Sequence, residues 1–87
     1  PAEYELSSSL TFQIANRQGR PLVGPETLGT QRTYVNDKDN IIGTTEEEEL
    51  LRREMRQDLT RQLLFRLSSI TEGQLSSYES RLNQQEN

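Results

Sequence analysis

Residues 3–15, EYELSSSLTFQIA, alternate without a break, and this run constrains the fold more than any other stretch. Tyr4, Leu6, Ser8, Leu10, Phe12 and Ile14 fall in one row, and Glu3, Glu5, Ser7, Ser9, Thr11 and Gln13 fall in the other. A period of two over that length specifies a long β-strand with one buried face and one wet face. Ser8 is the small member of the apolar row, a place where a helix can approach closely. A strand of this kind needs a hydrogen-bonded neighbour and a cover for its apolar row.

The neighbour follows at once. Residues 16–21, NRQGRP, read as a turn, because Asn16 and Gly19 tolerate positive φ and a loop of this length closes a hairpin. Residues 22–35 then form a second, less regular strand. Gly24, Pro25 and Gly29 interrupt it, with a bulge or kink expected near Gly24 and Pro25. Leu28, Thr30, Arg32 and Tyr34 share one of its faces, and Gln31, Thr33 and Val35 share the other. The pattern alone does not decide which of the two is inward.

The cover is written in residues 45–70. Leu51, Met55, Leu59, Leu63, Leu67 and Ile70 recur at three- and four-residue spacing, as on one side of an amphipathic α-helix. Thr44 or Thr45 is the expected N-cap, with Glu47 or Glu48 three residues on completing a capping box. Glu46–Glu49 would then occupy the first turn, at the positive end of the helix dipole. Ile41 or Ile42, in the polar loop 36–43, is placed to act as a hydrophobic staple. Gly73 is the expected stop, and residues 71–87 read as a polar tail, either a short helix or disordered, with Leu75, Tyr78 and Leu82 at helical spacing.

The fold class expected is therefore α+β: an antiparallel β-hairpin (strands 3–15 and 22–35) with one long α-helix (45–70) packed on one face, residues 1–70 making one unit. At 87 residues, with 30% hydrophobic residues and no Trp, the core is thin. One helix on two strands leaves both sheet edges open, so more sheet is expected from further chain, a second copy or a partner.

The chain contains no histidine and no cysteine. The commonest general base, the commonest zinc ligands and the thiol nucleophile are thus missing, and no serine has a base beside it in the sequence. No glycine pattern matches a phosphate loop. Consecutive glutamates on a helix point in different directions, so Glu46–Glu49 do not converge on a metal. No catalytic residue, metal site or cofactor is assigned, and the expected role is non-enzymatic. A net charge of −4 argues against nucleic acid as a partner. The basic residues Arg17, Arg20, Arg32 and Lys38, on the turn, second strand and following loop, form the candidate binding surface for an anionic head group or an acidic partner.

The co-linear set Ala2-Glu3-Tyr4, Arg32 with Tyr34, Glu54-Met55, Gln62-Leu63 and Leu67-Ser68-Ser69-Ile70, spanning about residues 2–70, resembles the C-terminal half of the lipopolysaccharide-assembly lipoprotein family LptE (the RlpB type). The resemblance implies a lipid-anchored outer-membrane component, on the periplasmic side or in the barrel lumen, that plugs the LptD β-barrel, helps assemble it and takes part in moving lipopolysaccharide to the cell surface. It implies a two-layer α/β sandwich in which a four-stranded mixed sheet carries two helices on one face. This chain would supply the last two strands and last helix, with the lipidated cysteine and the first strands and helix outside it. The family's lysine before the last helix falls at Thr44, with Lys38 six residues earlier, and Arg32 carries over by position. Three readings follow: a barrel plug touching LptD through Arg17, Arg20 and Arg32; a direct binder of anionic lipopolysaccharide through Arg32 and Lys38; and a small interaction module that dimerises to complete its sheet.

Overall fold

The computed structural model describes residues 2–86, with the side chain of Glu86 left aside. Two strands, β1 (Ala2–Ala15) and β2 (Pro21–Asn36), are followed by two helices, α1 (Ile41–Ser68) and α2 (Glu72–Glu86). The strands pair antiparallel, with Ala2 opposite Asn36, Ser8 opposite Thr30 and Phe12 opposite Glu26. The α+β hairpin-and-helix architecture is the one expected.

The inward face of β2 is resolved by a change of phase. Beyond Phe12 the register slips, so Ile14 meets Val23 and Ala15 meets Pro21. One extra residue lies within Gly24–Pro25, where Gly24 has a φ of +81° and the bond is cis, and a second lies at Leu22. A Cβ on Gly24 would stand 2.7 Å from the Phe12 carbonyl oxygen, so only glycine fits this bulge. On the turn side of the bulge the odd-numbered Val23 is buried; beyond it the even-numbered Leu28, Thr30, Arg32 and Tyr34 turn inward and Gln31, Thr33 and Val35 face out.

Helix α1 begins four residues earlier than the threonines suggest. Its N-cap is Asn40, whose side chain accepts a hydrogen bond from the Gly43 backbone N–H. Thr44 and Thr45 are inside the helix, their hydroxyls donating to the carbonyls of Asn40 and Ile41 at 2.9 Å each. The glutamates therefore occupy the second turn, and no acidic residue lies in the first. Ile41 and Ile42 are the opening helical residues, 70% and 75% exposed, and do not staple the helix. The helix stops at Ser68, with Ser69 as C-cap, and Gly73 lies in the first turn of α2, where it stops nothing. The tail takes its helical alternative.

Among the described residues the buried apolar side chains are Leu6, Val23, Met55 and Leu59. Met55, at 2% exposure, is the centre of the stripe. Leu51, Leu63 and Ile70 are half-buried and Leu67 is 37% exposed. Beside Met55 a recess of about 170 Å³ is lined by Ser8, Arg52, Met55 and Arg56, where the small serine of the apolar row meets the helix. Helix α1 runs antiparallel to β2 and lies chiefly over it, while α2 touches β2 near the turn. The body measures 65 × 21 × 17 Å with a radius of gyration of 19.5 Å. A compact domain of this length would have about 12 Å.

Candidate functional site

Two surfaces stand out from the hairpin, and they differ in chemistry because β1 and β2 alternate in phase. The outer face carries Glu3, Glu5, Ser7, Ser9, Thr11 and Gln13 from β1 beside Thr27, Gln31 and Thr33 from β2, all exposed. Thr11 and Thr27, directly opposite each other, share a hydrogen bond of 2.9 Å between their hydroxyls. Ser7, Ser9 and Gly29, with Gln31 beside them, line a shallow trough at mid-length. The result is an uncovered surface of hydroxyls and amides, with Glu3, Glu5 and the half-exposed Val35 toward its open end and without a cation, about 33 Å long at the usual rise of a strand.

The inner face is tied to α1 by polar links that follow β2. Tyr34 donates to Glu48 at 3.2 Å, and Glu48 receives Arg52 at 2.8 Å. Midway, Arg32 donates to the Thr30 hydroxyl at 2.9 Å, and Gln62 bridges the Gly29 carbonyl (3.1 Å) and Asp58 (3.0 Å). Near the turn, Arg66 grips Glu26 with two bonds of 2.9 and 2.8 Å, a fork-on-fork pair joining helix to strand. Hydrogen bonding with Arg66 holds the Glu26 carboxyl below its ordinary range, and Arg52 does the same for Glu48, both against an opposing effect of burial. Thr30, then Gln62, lowers Asp58. Burial, reinforced by Glu48, pushes Tyr34 upward.

The expected basic residues do not converge. Arg17 and Arg20 lie at the hairpin turn, whereas Lys38 lies in the loop at the open end, between Asp37 and Asp39. The length of the hairpin, about 45 Å, separates them. Arg32 is half-buried on the inner face, opposite Leu6, and besides Thr30 it donates to the Gln31 carbonyl at 2.8 Å. Both of these bonds stay within β2. Thr44, the position matching the family's lysine, helps hold the loop: its hydroxyl accepts from the Asp37 backbone N–H at 3.2 Å.

The clasp between the hairpin turn and α2 could not be read from the sequence. The Asn16 amide accepts from the backbone N–H groups of Gln18 and Arg20 and donates to both carboxylate oxygens of Glu79 at 3.1 and 3.2 Å. A turn-forming asparagine signals the first role, but nothing local signals a partner 63 residues away. Among the described residues no group of three acidic side chains could hold a metal ion, and no helix is long and apolar enough to cross a membrane.

Comparison with curated proteins finds no match. The family model described as "LptE: Lipopolysaccharide-assembly" matches residues 1–67, which cover both strands and all but the last residue of α1. With most of the chain matched, and with a hairpin and long helix in the order that the resemblance implied, this chain belongs to the LptE family of lipopolysaccharide-assembly proteins of the outer membrane.

Proposed function

We propose that the chain acts without catalysis, by seating its hairpin against the polar lumen of the outer-membrane barrel LptD, as a plug and assembly aid. The observation that carries this reading is the outer face of the hairpin. It is polar from Glu3 to Gln13 and uncovered, and barrel interiors are polar while their outer walls are not. The slender 65 × 21 × 17 Å body supports the same reading, since an insert must be narrow in two dimensions. Shape and hydrogen-bond complementarity would supply the contact, with Glu3 and Glu5 setting its direction. Direct capture of lipopolysaccharide by Arg17, Arg20, Arg32 and Lys38 has less support, because those residues are spread over both ends and the inner face. The test is co-expression of the chain with LptD from the same genome and affinity capture in detergent at high salt. A stoichiometric complex lost on Ser9→Arg/Gln31→Arg is expected. Absence of a complex, or one indifferent to that double substitution, refutes the reading.

A further inference from the structure

Five arginines stand between Arg52 and Arg66 against two carboxylates, Glu54 and Asp58, a local excess of positive charge in a chain whose net charge is −4. Helix α1 sorts them into two groups. Arg52 and Arg66 are committed to Glu48 and Glu26. Arg53 and Arg61 are exposed on the side of the helix away from the hairpin, and Arg56 reaches between that side and the recess at Ser8. Glu49 stands four residues before Arg53, the spacing that joins Glu48 to Arg52, yet no bridge forms there. Among the described residues neither the Arg53 nor the Arg56 guanidinium has a hydrogen bond or ion pair. Arg61 makes a contact of 3.4 Å to Asp58, a carboxylate already held by Gln62.

These three arginines border one open groove of about 510 Å³, together with Gln57 and Thr60. The Thr60 hydroxyl donates back to the Arg56 carbonyl at 2.9 Å, so the groove offers a ligand three guanidiniums and one amide. Leu50 and Leu64, 47% and 62% exposed, lie on the same line of the helix, seven residues before Gln57 and seven after it. At the helical rise they are about 21 Å apart. An inorganic anion would be held at one point of such a row, whereas two leucines at that separation call for a partner of matching length. Apolar residues at heptad spacing form the seam of a helix–helix contact, and the charges beside the seam select the partner. Guanidinium forks select carboxylates, which they bind with two parallel hydrogen bonds. None of this rests on an edge of the sheet. In a two-layer sandwich further strands extend the sheet and a further helix lies beside α1, so the side of α1 turned from the sheet stays outermost.

We infer that this outward side of α1 is a docking surface for an acidic α-helical segment of another protein. The segment's carboxylates meet Arg53, Arg56 and Arg61, and its apolar residues, two heptads apart, meet Leu50 and Leu64. Glu49 and Glu54 flank the row and fix the register, because a carboxylate set against either is repelled. The surface lies across the molecule from the polar outer face of the hairpin, so it is independent of what that face binds.

The experiment is fluorescence anisotropy of a labelled helical peptide of about three heptads, with leucines spaced as Leu50 and Leu64 are and glutamates between them, titrated with the chain at low and at high salt. Arg53→Glu/Arg56→Glu changes exposed residues, and circular dichroism reports that the helix is kept. The parent chain is expected to bind this peptide and not its lysine counterpart. The double variant should bind on the order of tenfold more weakly or worse, since like charges then face each other. Leu50→Ala/Leu64→Ala should weaken binding at both salt concentrations, and Arg17→Glu/Lys38→Glu, the same charge change elsewhere, should leave it unaltered. A chain that ignores the peptide overturns the proposal, as does equal loss in the two charge variants or indifference to the leucine pair. Two results reassign the surface and also overturn it. One is arginine-dependent binding of inorganic phosphate or phosphatidylglycerol vesicles in place of the peptide. The other is a parent chain that sediments as a dimer when the Arg53→Glu/Arg56→Glu variant does not.

Discussion

Truncating Met55 to alanine should remove a large share of the molecule's stability, and truncating Leu64 on the same helix should remove almost none. Met55 is 2% exposed, over the apolar row of the hairpin, whereas Leu64 is 62% exposed on the opposite side of α1. Alanine is the better helix former, so any loss at Met55 reports packing and not helix propensity. Buried Met→Ala changes cost about 2–5 kcal/mol, with the larger values where the surroundings cannot close on the cavity. Here the recess of about 170 Å³ already opens beside Met55, and Arg52 and Arg56 have room to settle into it. A cost near the lower end, about 2–3 kcal/mol, is therefore expected. A chain of this size has roughly 4–13 kcal/mol in total, so a change at one side chain consumes much of the margin. The corresponding fall in Tm is about 10–20 °C. Leu64→Ala should stay within about 0.5 kcal/mol of the parent. The assay is urea unfolding followed by far-ultraviolet circular dichroism, at one protein concentration for all three chains, with the m-value required to be unchanged. The reasoning is refuted if Met55→Ala costs less than about 1 kcal/mol, or if the two substitutions cost the same.

Two further outcomes follow from the caps and the ion pairs. Asn40→Ala removes the acceptor that receives the Gly43 N–H and should lower stability by about 1 kcal/mol, whereas Thr45→Ala should be near neutral; reversal of that order in thermal melts would restore the threonine as cap. Glu26, Glu48 and Asp58 all have carboxyl pKa values lowered by hydrogen bonding in the folded chain. The unfolded chain therefore binds more protons than the folded one as pH falls through the carboxylate range. Their contribution is complete above about pH 5 and is lost progressively below about pH 4. Thermal midpoints between pH 6 and pH 2.5 should show that loss, and Glu26→Gln/Glu48→Gln/Asp58→Asn should flatten it; an unchanged acid limb would show that these carboxylates are no better stabilised than in the unfolded chain.

What could be read in advance followed from local periodicity. The alternation from Tyr4 to Ile14 gave β1 and its faces, and the spacing of Leu51, Met55 and Leu59 gave the buried side of α1. The inward face of β2 was hidden because the Gly24–Pro25 bulge reverses the phase, so Val23 and Leu28 obey opposite parities. The start of α1 was displaced because Thr44 and Thr45 resemble a cap, while the true cap, Asn40, precedes two isoleucines and a glycine that look like loop. Helix α2 has few apolar residues, and one polar hold on it comes from Asn16, far away in sequence. That the basic residues lie apart was hidden because their neighbourhood depends on hairpin length, and Arg32 bonds to Thr30 and the Gln31 carbonyl within its own strand.

Asn16 has a consequence for how this sequence can diverge. One face of its amide shapes the turn and the other holds Glu79. Aspartate at position 16 would preserve both turn bonds yet set two carboxylates face to face. Lysine at position 79 would be unwelcome beside the amide donor but would suit that aspartate. The two positions are thus linked in inheritance: a change at either opens a route for the other, and related chains should vary there in pairs, Asn with Glu or Asp with Lys, and not independently.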